Sequence, residues 1–510
     1  MFAALVMVAV VLVGAVVFGG IARTPAPAPT HSSGPVAVGP PRLAVIDGHG
    51  ALATIDLAGR ETVIAADPAA SYGFPAWSPD GSRIAVIANR PDATTIEIFD
   101  APAESDQSAR TPSPSSTPSP ASAPGSGSPG VAAPSAVPLV IYRSPVSRPF
   151  YLYWTPDGGR VSFLAAETDG MSLRVVPADG SGPADGSGPA GGSGPADTSS
   201  PSGGDPSAVI RQGSPLYFDW LTADRLLVHV GNGPSAFTGE VGADGTAVGS
   251  ALDGSGDYRP AVVDAGGQHI AFSRGSGADE RLVVAHRDGS AEHTVPILGP
   301  AAMVFAPSGS TLAAIAADRP DRAALAFPIG PLRLLDAETG DRRTLLDGDV
   351  VGFFWSPDGR TIAALRLQPA AGTTVADGSG VAATIVRLAG VRDVAAGPSA
   401  APAAPTAPGS STAPGSSAGT QLGSELHLLF VTAADGRIRS DRIIHLTTPY
   451  VDTLLPYFDQ YALSHRTWAS DGSAIVLPLL DDAGAGHLVV LAPDGGEPRS
   501  FDGESGFWSP

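Results

Sequence analysis

The 510-residue chain has no cysteine and no lysine, so its 30 basic side chains are all arginine. The lack of cysteine excludes disulfide staples, thiolate zinc sites, cysteine nucleophiles and a lipid-anchoring cysteine. The lack of lysine removes the residue a phosphate loop needs, and no helical pattern follows the glycine-rich runs. Basic residues are also outnumbered by 50 acidic ones, for a net charge of −20. Nucleic-acid duplexes and anionic membrane surfaces both repel such a chain, so nucleic acid is excluded as a partner. The ten histidines are scattered, with no His-Glu-x-x-His and no pair at helical or strand spacing. The sequence therefore points to no metal and no cofactor.

Catalytic signatures are equally scarce. Gly415-Ser416-Ser417-Ala418-Gly419 fits a nucleophile-elbow pattern, but it sits in a Ser/Pro/Gly tract without the required strand–turn–helix context. Asp481 and Asp482 read as solvated turn residues. No catalytic residue is assigned.

Glycine (63) and proline (50) are abundant instead. Residues 1–21 carry no charged side chain, and the first is Arg23. At ~1.5 Å per residue such a segment spans roughly 30 Å, the thickness of a bilayer core. It is expected to be a transmembrane anchor, with a cleaved signal and secretion as the alternative, although no basic residue precedes it. Residues 22–41 form a Pro-rich stalk. The expectation is a membrane-anchored protein of the bacterial envelope with its bulk outside the cytoplasm.

A repeat dominates residues 42–510. Trp77-Ser78-Pro79-Asp80-Gly81, Trp154-Thr155-Pro156-Asp157-Gly158 and Trp355-Ser356-Pro357-Asp358-Gly359 each precede an alternating apolar run. Degenerate copies start at Phe305 and Trp468, the latter with Asp471-Gly472. Weaker ones surround Trp220 and Val263, and the chain ends on Trp508-Ser509-Pro510. The chemistry is that of a hairpin: proline presets φ, aspartate bonds nearby N–H groups, and glycine accepts the left-handed conformation. Asp80, Gly81, Asp157, Gly158, Asp358, Gly359, Asp471 and Gly472 are accordingly turn residues rather than metal or catalytic ligands.

Three low-complexity inserts, at about 103–137, 180–206 and 369–424, interrupt the repeat. Without them the copies recur mostly at a spacing in the low forties, which with four strands per unit marks a β-propeller. Eight four-stranded blades fit best. Seven remain if Trp220 or Val263 is not a true copy. The terminal Trp508 lacks a following strand, while Arg42-Leu43-Ala44-Val45-Ile46 lacks a preceding motif. The last strand is expected to complete the first blade and close the ring.

The repeat, Trp-Ser-Pro-Asp-Gly before a strand, resembles the WD-like repeat of TolB-type propellers and of the propeller domains of prolyl-oligopeptidase-like enzymes. The resemblance implies a fold, and it leaves function open.

Strand order places the first two inserts on the rim of the motif turns and the third on the opposite rim. The connection before Trp468 is longer than the others and holds Tyr450, Asp452, Tyr457, Phe458, Asp459, Gln460, Tyr461, His465 and Arg466. Such a mixture suits a binding surface, or alternatively packing between blades. The sequence supports a non-enzymatic scaffold that binds an envelope protein or an extracellular polymer. The alternative is a lyase- or glycosidase-type propeller enzyme with catalytic groups in its central funnel.

Overall fold

The structure is a computed structural model that describes residues 39–102, 137–168, 170–181, 208–231, 235–249, 251–252, 260–275, 277–325, 327–369 and 424–510. The expected anchor at 1–21, nearly all of the stalk and nearly all of the three inserts lie outside these residues. Among the described residues no helix is long and apolar enough to cross a membrane.

From Pro40 to Pro510 the chain forms one compact unit. Alternating apolar residues and tight Pro-Asp-Gly turns produce antiparallel meanders. The second sheet, for example, runs in the order Ser71–Trp77, Arg83–Asn89, Thr94–Asp100 and Leu139–Ser144. Sheets of the same pattern begin at Arg148–Trp154, Leu216–Thr222 and Val262–Val263. Burial grades across each sheet. Arg83–Asn89 is almost wholly buried, whereas outer strands such as Ile438–Ile443 alternate between exposed and half-buried. A succession of such sheets is the build of a β-propeller.

The first and last strands of the compact unit meet in the first sheet. The strand Ser505–Trp508 pairs with Arg42–Ile46, with Trp508 opposite Leu43 and Ser505 opposite Ile46. Leu52–Asp56 and Glu61–Ala65 complete it.

Two sheets depart from the four-stranded pattern. One sheet has seven, because the bent strand Arg342–Trp355 serves two units: residues 342–350 pair with Gly330–Asp336, and residues 349–355 pair with Thr361–Pro369. The last sheet has three strands, and its first strand is reduced to the bridge Trp468↔Ile475. The chain before Trp468 is used elsewhere, in the centre.

The motif aromatics lock neighbouring repeat units. The indole N–H of Trp77 donates to Phe507 O at 3.0 Å, that of Trp154 to Ala76 O at 3.0 Å, and that of Trp468 to Phe354 O at 3.1 Å. Trp355 donates likewise to Val304 O at 3.2 Å. The turns are closed locally. Asp80 Oδ1 accepts from Ser78 Oγ and Ser82 N, Asp157 Oδ1 from Thr155 Oγ1 and Gly159 N, and Asp358 Oδ1 from Ser356 Oγ and Arg360 N. Asp471 Oδ1 accepts from Ser473 N. These hydrogen bonds hold the Asp80, Asp157 and Asp358 carboxyls below their ordinary range, against the opposing effect of partial burial. Gly81, Gly158, Gly359 and Gly472 have φ between 67° and 71°, the left-handed region that favours glycine.

Candidate functional site

Between Ile438–Ile443 and Trp468 the chain leaves the sheet pattern and turns helical. A helix Thr448–Thr453, with Pro449 in its first turn, leads through the 3-10 turn Leu455–Tyr457 into a second helix, Phe458–Ala462. Proline suits the first turn, where its missing N–H has no partner to lose.

This segment sits among the first strands of many sheets. Gln460 binds both backbone groups of Phe218: it accepts from Phe218 N at 3.2 Å and donates to Phe218 O at 2.8 Å. Its Nε2 also donates to the Tyr151 hydroxyl at 3.1 Å, and that hydroxyl donates to Gln460 O at 2.8 Å. Asp459 Oδ2 accepts from Met303 N at 3.4 Å, and the Tyr461 hydroxyl donates to Phe150 O at 3.2 Å. Aromatic contacts extend the set: Phe458 against Phe353 and Phe354, Tyr461 against Phe74, and His465 against Phe507. One short segment thus reaches the first strands of six repeat units.

The inner strands are shaped to receive it. Bulges interrupt the pairing at residues 73–76, 149–151, 298–301 and 350–352. Such bulges re-aim the backbone. Phe74 is held at φ 54° in one of them, where it stacks on Tyr461. At Gly352 an added Cβ would come within 3.2 Å of Leu455 Cδ1, so glycine makes room for the helical segment.

Of the residues the sequence singled out in this stretch, Tyr450, Phe458, Asp459, Gln460, Tyr461 and His465 are buried, Tyr457 is half-buried, and Asp452 and Arg466 are exposed. Burial shapes their titration. It pushes the Asp459 carboxyl up to about 7, against the opposing hydrogen bonds from Gln460, Met303 and its own backbone. It drives the Tyr450 and Tyr461 hydroxyls upward, and His465 down to about 3, so that this imidazole is neutral at ordinary pH.

Two further clusters escaped the sequence reading. Asp219 is buried, accepts from Trp220 N, Val263 N and the Tyr153 hydroxyl, and is raised by burial to about 7. Its position mid-strand gave no signal. The second cluster comprises His269, His286 and Glu338, whose ligand-type atoms all lie within 4.8 Å of one another. His269 and His286 stand directly opposite in the pairing of His269–Arg274 with Arg281–His286. They lie 17 positions apart in sequence, so only the hairpin register reveals the pair. The recurrent turn at Val263 and the strand after it could have supplied that register.

No protein-family model matches the chain, and neither does any curated protein. Solved structures do. TolB-type propellers are among its structural neighbours. TolB from Acinetobacter baumannii is similar at 13% identity and TM-score 0.32, over 59% of this chain and 62% of that protein. Prolyl oligopeptidase B from Galerina marginata is similar at 10% identity and TM-score 0.41, over 84% of this chain and 50% of the enzyme. A eukaryotic initiation factor is similar at 8% identity and TM-score 0.44, over 93% and 99%. Likeness of this degree carries no activity across, and the propeller assignment rests on the sheet order itself.

Proposed function

We propose that this chain is a non-enzymatic binding scaffold: an eight-bladed propeller outside the cytoplasm, tethered through residues 1–21, that engages an envelope protein or extracellular polymer. The blade count assigns two units to the seven-stranded sheet and treats Trp468 as the remnant inner strand of the last. The pairing of Ser505–Trp508 with Arg42–Ile46 in the first sheet supports closure of the ring.

One observation carries the scaffold reading. The segment 448–466 occupies the centre, where Gln460 and Tyr461 spend their polar groups on the chain's own strands. Contact with a partner then falls to the rims and to what the segment leaves accessible, namely Asp452, Tyr457 and Arg466. A flat rim built from loops on a rigid ring suits a macromolecular partner better than a small substrate.

The test uses the full chain in detergent, tagged at Pro510, with crosslinking and quantitation of retained proteins. A stoichiometric partner held by the wild type and lost by the double substitution Tyr457→Ala, Arg466→Glu is the expected result. Retention that ignores those substitutions would remove the proposed contact. Turnover of a glycan panel by the same preparation would replace the scaffold with the second reading, a lyase- or glycosidase-type enzyme. That reading draws its support from the buried Asp219–Tyr153 pair, whose carboxyl titrates near neutrality.

A further inference from the structure

The fifth sheet meets the next along a seam where the repeat is at its most degenerate, because Val263 and Phe305 replace the tryptophans found elsewhere. No indole N–H is available at either position. Instead, the turn after Gly330–Asp336 carries Glu338 across to two histidines of the fifth sheet. Glu338 Oε1 lies 3.0 Å from His269 Nε2, and its Oε2 lies 3.5 Å from His286 Nε2.

Each of the three is held in place by the backbone around it. Asp336 Oδ1 accepts from Glu338 N at 2.9 Å and Thr339 N at 3.0 Å, and Gly340 closes the turn at φ 74°. His286 ends its strand, and its N–H donates to Ser290 O at 2.9 Å. His269 is the most constrained. Asp264 Oδ1 accepts from Gln268 N and His269 N, while its Oδ2 lies 2.8 Å from His269 Nδ1. Both His269 and Asp264 are buried, with 5% and 6% of their surface exposed.

That arrangement fixes the chemistry of the outward nitrogen. A carboxylate on Nδ1 takes the ring's N–H and leaves a lone pair on Nε2, the arrangement metal-binding histidines use. His269 Nε2 is buried and makes no hydrogen bond, although a second carboxylate stands 3.0 Å away. In the tautomer that donates Nδ1–H to Asp264, Nε2 offers its lone pair on the side of Glu338, where a cation between the two would satisfy both.

The spacing agrees. Ligand atoms 2.0–2.1 Å from a tetrahedral zinc lie roughly 3.3 Å from one another, against 3.0 and 3.5 Å here. We propose that His269 Nε2, His286 Nε2 and the Glu338 carboxylate bind one divalent metal ion of the zinc class, with Asp264 as positioning residue, and that the ion ties the fifth sheet to its neighbour. Two imidazoles and one carboxylate are a borderline donor set, better suited to zinc than to calcium or magnesium. Three protein ligands leave a fourth position, and it faces outward, because the His286 and Glu338 side chains are 38% and 57% exposed.

The test is zinc titration of the full chain, carrying a tag without histidine and stripped with chelator, read by calorimetry and by thermal unfolding. One zinc per chain and a raised Tm are expected. His286→Ala and Glu338→Ala each weaken binding at least about tenfold, and Asp264→Asn about 10–100-fold. His427→Ala, which alters the separate His427–Asp441 pair, leaves affinity and stoichiometry unchanged. His286 and Glu338 are accessible enough for their variants to fold, which an unchanged melt in chelator verifies. Absence of saturable binding to the wild type overturns the proposal. So does zinc affinity that is equal in the wild type, His286→Ala and Glu338→Ala.

Discussion

Seams between successive sheets are built from different materials. Between the second and third sheets, where the repeat is strict, an indole and a guanidinium reach across to backbone carbonyls, beside the Tyr142–Phe163 ring contact at 4.7 Å. Trp154 donates to Ala76 O, Arg83 donates to Gly158 O at 2.8 Å and Ala178 O at 3.1 Å, and the guanidinium lies over the Trp154 ring at 4.8 Å. Where the copies decay, around Val263 and Phe305, carboxylates do the bridging. Asp219 Oδ2 accepts from Val263 N, Glu240 binds Arg287 through both oxygens, and Glu338 faces two histidines. Strict copies thus bridge with indole and guanidinium donors, while decayed copies bridge with carboxylates and histidines, the groups through which pH and cations act.

The largest effect expected from this contrast is at the motif aromatic itself. Trp154 is 3% exposed, so Trp154→Ala costs about 3–5 kcal/mol by loss of packing and of the indole hydrogen bond. Val263→Ala, at the equivalent position of a decayed copy, removes little buried surface and costs about 1–2 kcal/mol. Urea unfolding of the two variants measures both, and equal costs would erase the distinction between the seams.

Next in size is the pH response of Asp219. Burial raises its folded pKa to about 7 from 3.8. Below the lower value both folded and unfolded chains carry the proton, and the full stability is present. As pH rises toward 7 the unfolded chain ionises first, so stability falls by about 1 kcal/mol per pH unit and then levels off. Asp219→Asn removes this share of the slope and leaves that of Asp459, which burial also raises to about 7. Wild type and variant should therefore diverge by on the order of 3 kcal/mol between pH 4 and 7, in the direction that penalises the wild type at the upper end. Parallel stability curves would show that Asp219 stays ionised in the fold.

The difference between seams also explains what was legible in the sequence. Strict copies announce themselves, because the tryptophan, the turn proline and the left-handed glycine are each required by local geometry. Asp80, Asp157 and Asp358 could be assigned to turns on that ground alone, and the joining of the last strand to the first sheet followed from one motif without a strand and one strand without a motif. The central segment was legible only as an anomaly of spacing. Nothing local says that Gln460 will meet Phe218 or that Tyr461 will meet Phe150, since those contacts depend on the ring bringing distant inner strands together. The histidine pair was hidden for the same reason: its spacing has meaning only once the hairpin register is known.

A smaller effect tests the strict seam again without opening a cavity. Arg83→Met keeps the length of the stem while removing the bonds to Gly158 O and Ala178 O and the stacking on Trp154. The expected cost is about 1–2 kcal/mol. The carbonyl partners are neutral, so added salt should leave that cost nearly unchanged.

The smallest expected effect belongs to Glu240. Its carboxylate receives Arg287 Nε at 2.6 Å and Nη2 at 2.8 Å, a two-pronged geometry at the favourable end for ion pairs. Both side chains keep contact with water, at 28% and 19% exposure, which caps the gain at about 1 kcal/mol. Glu240→Gln should cost roughly 0.5–1 kcal/mol at low ionic strength and less in molar salt, where the Debye length shrinks to about 3 Å. A cost unaffected by salt would mean that this seam is held by shape, as at Trp154, and that decay of the repeat changed the residues without changing the physics of the joint.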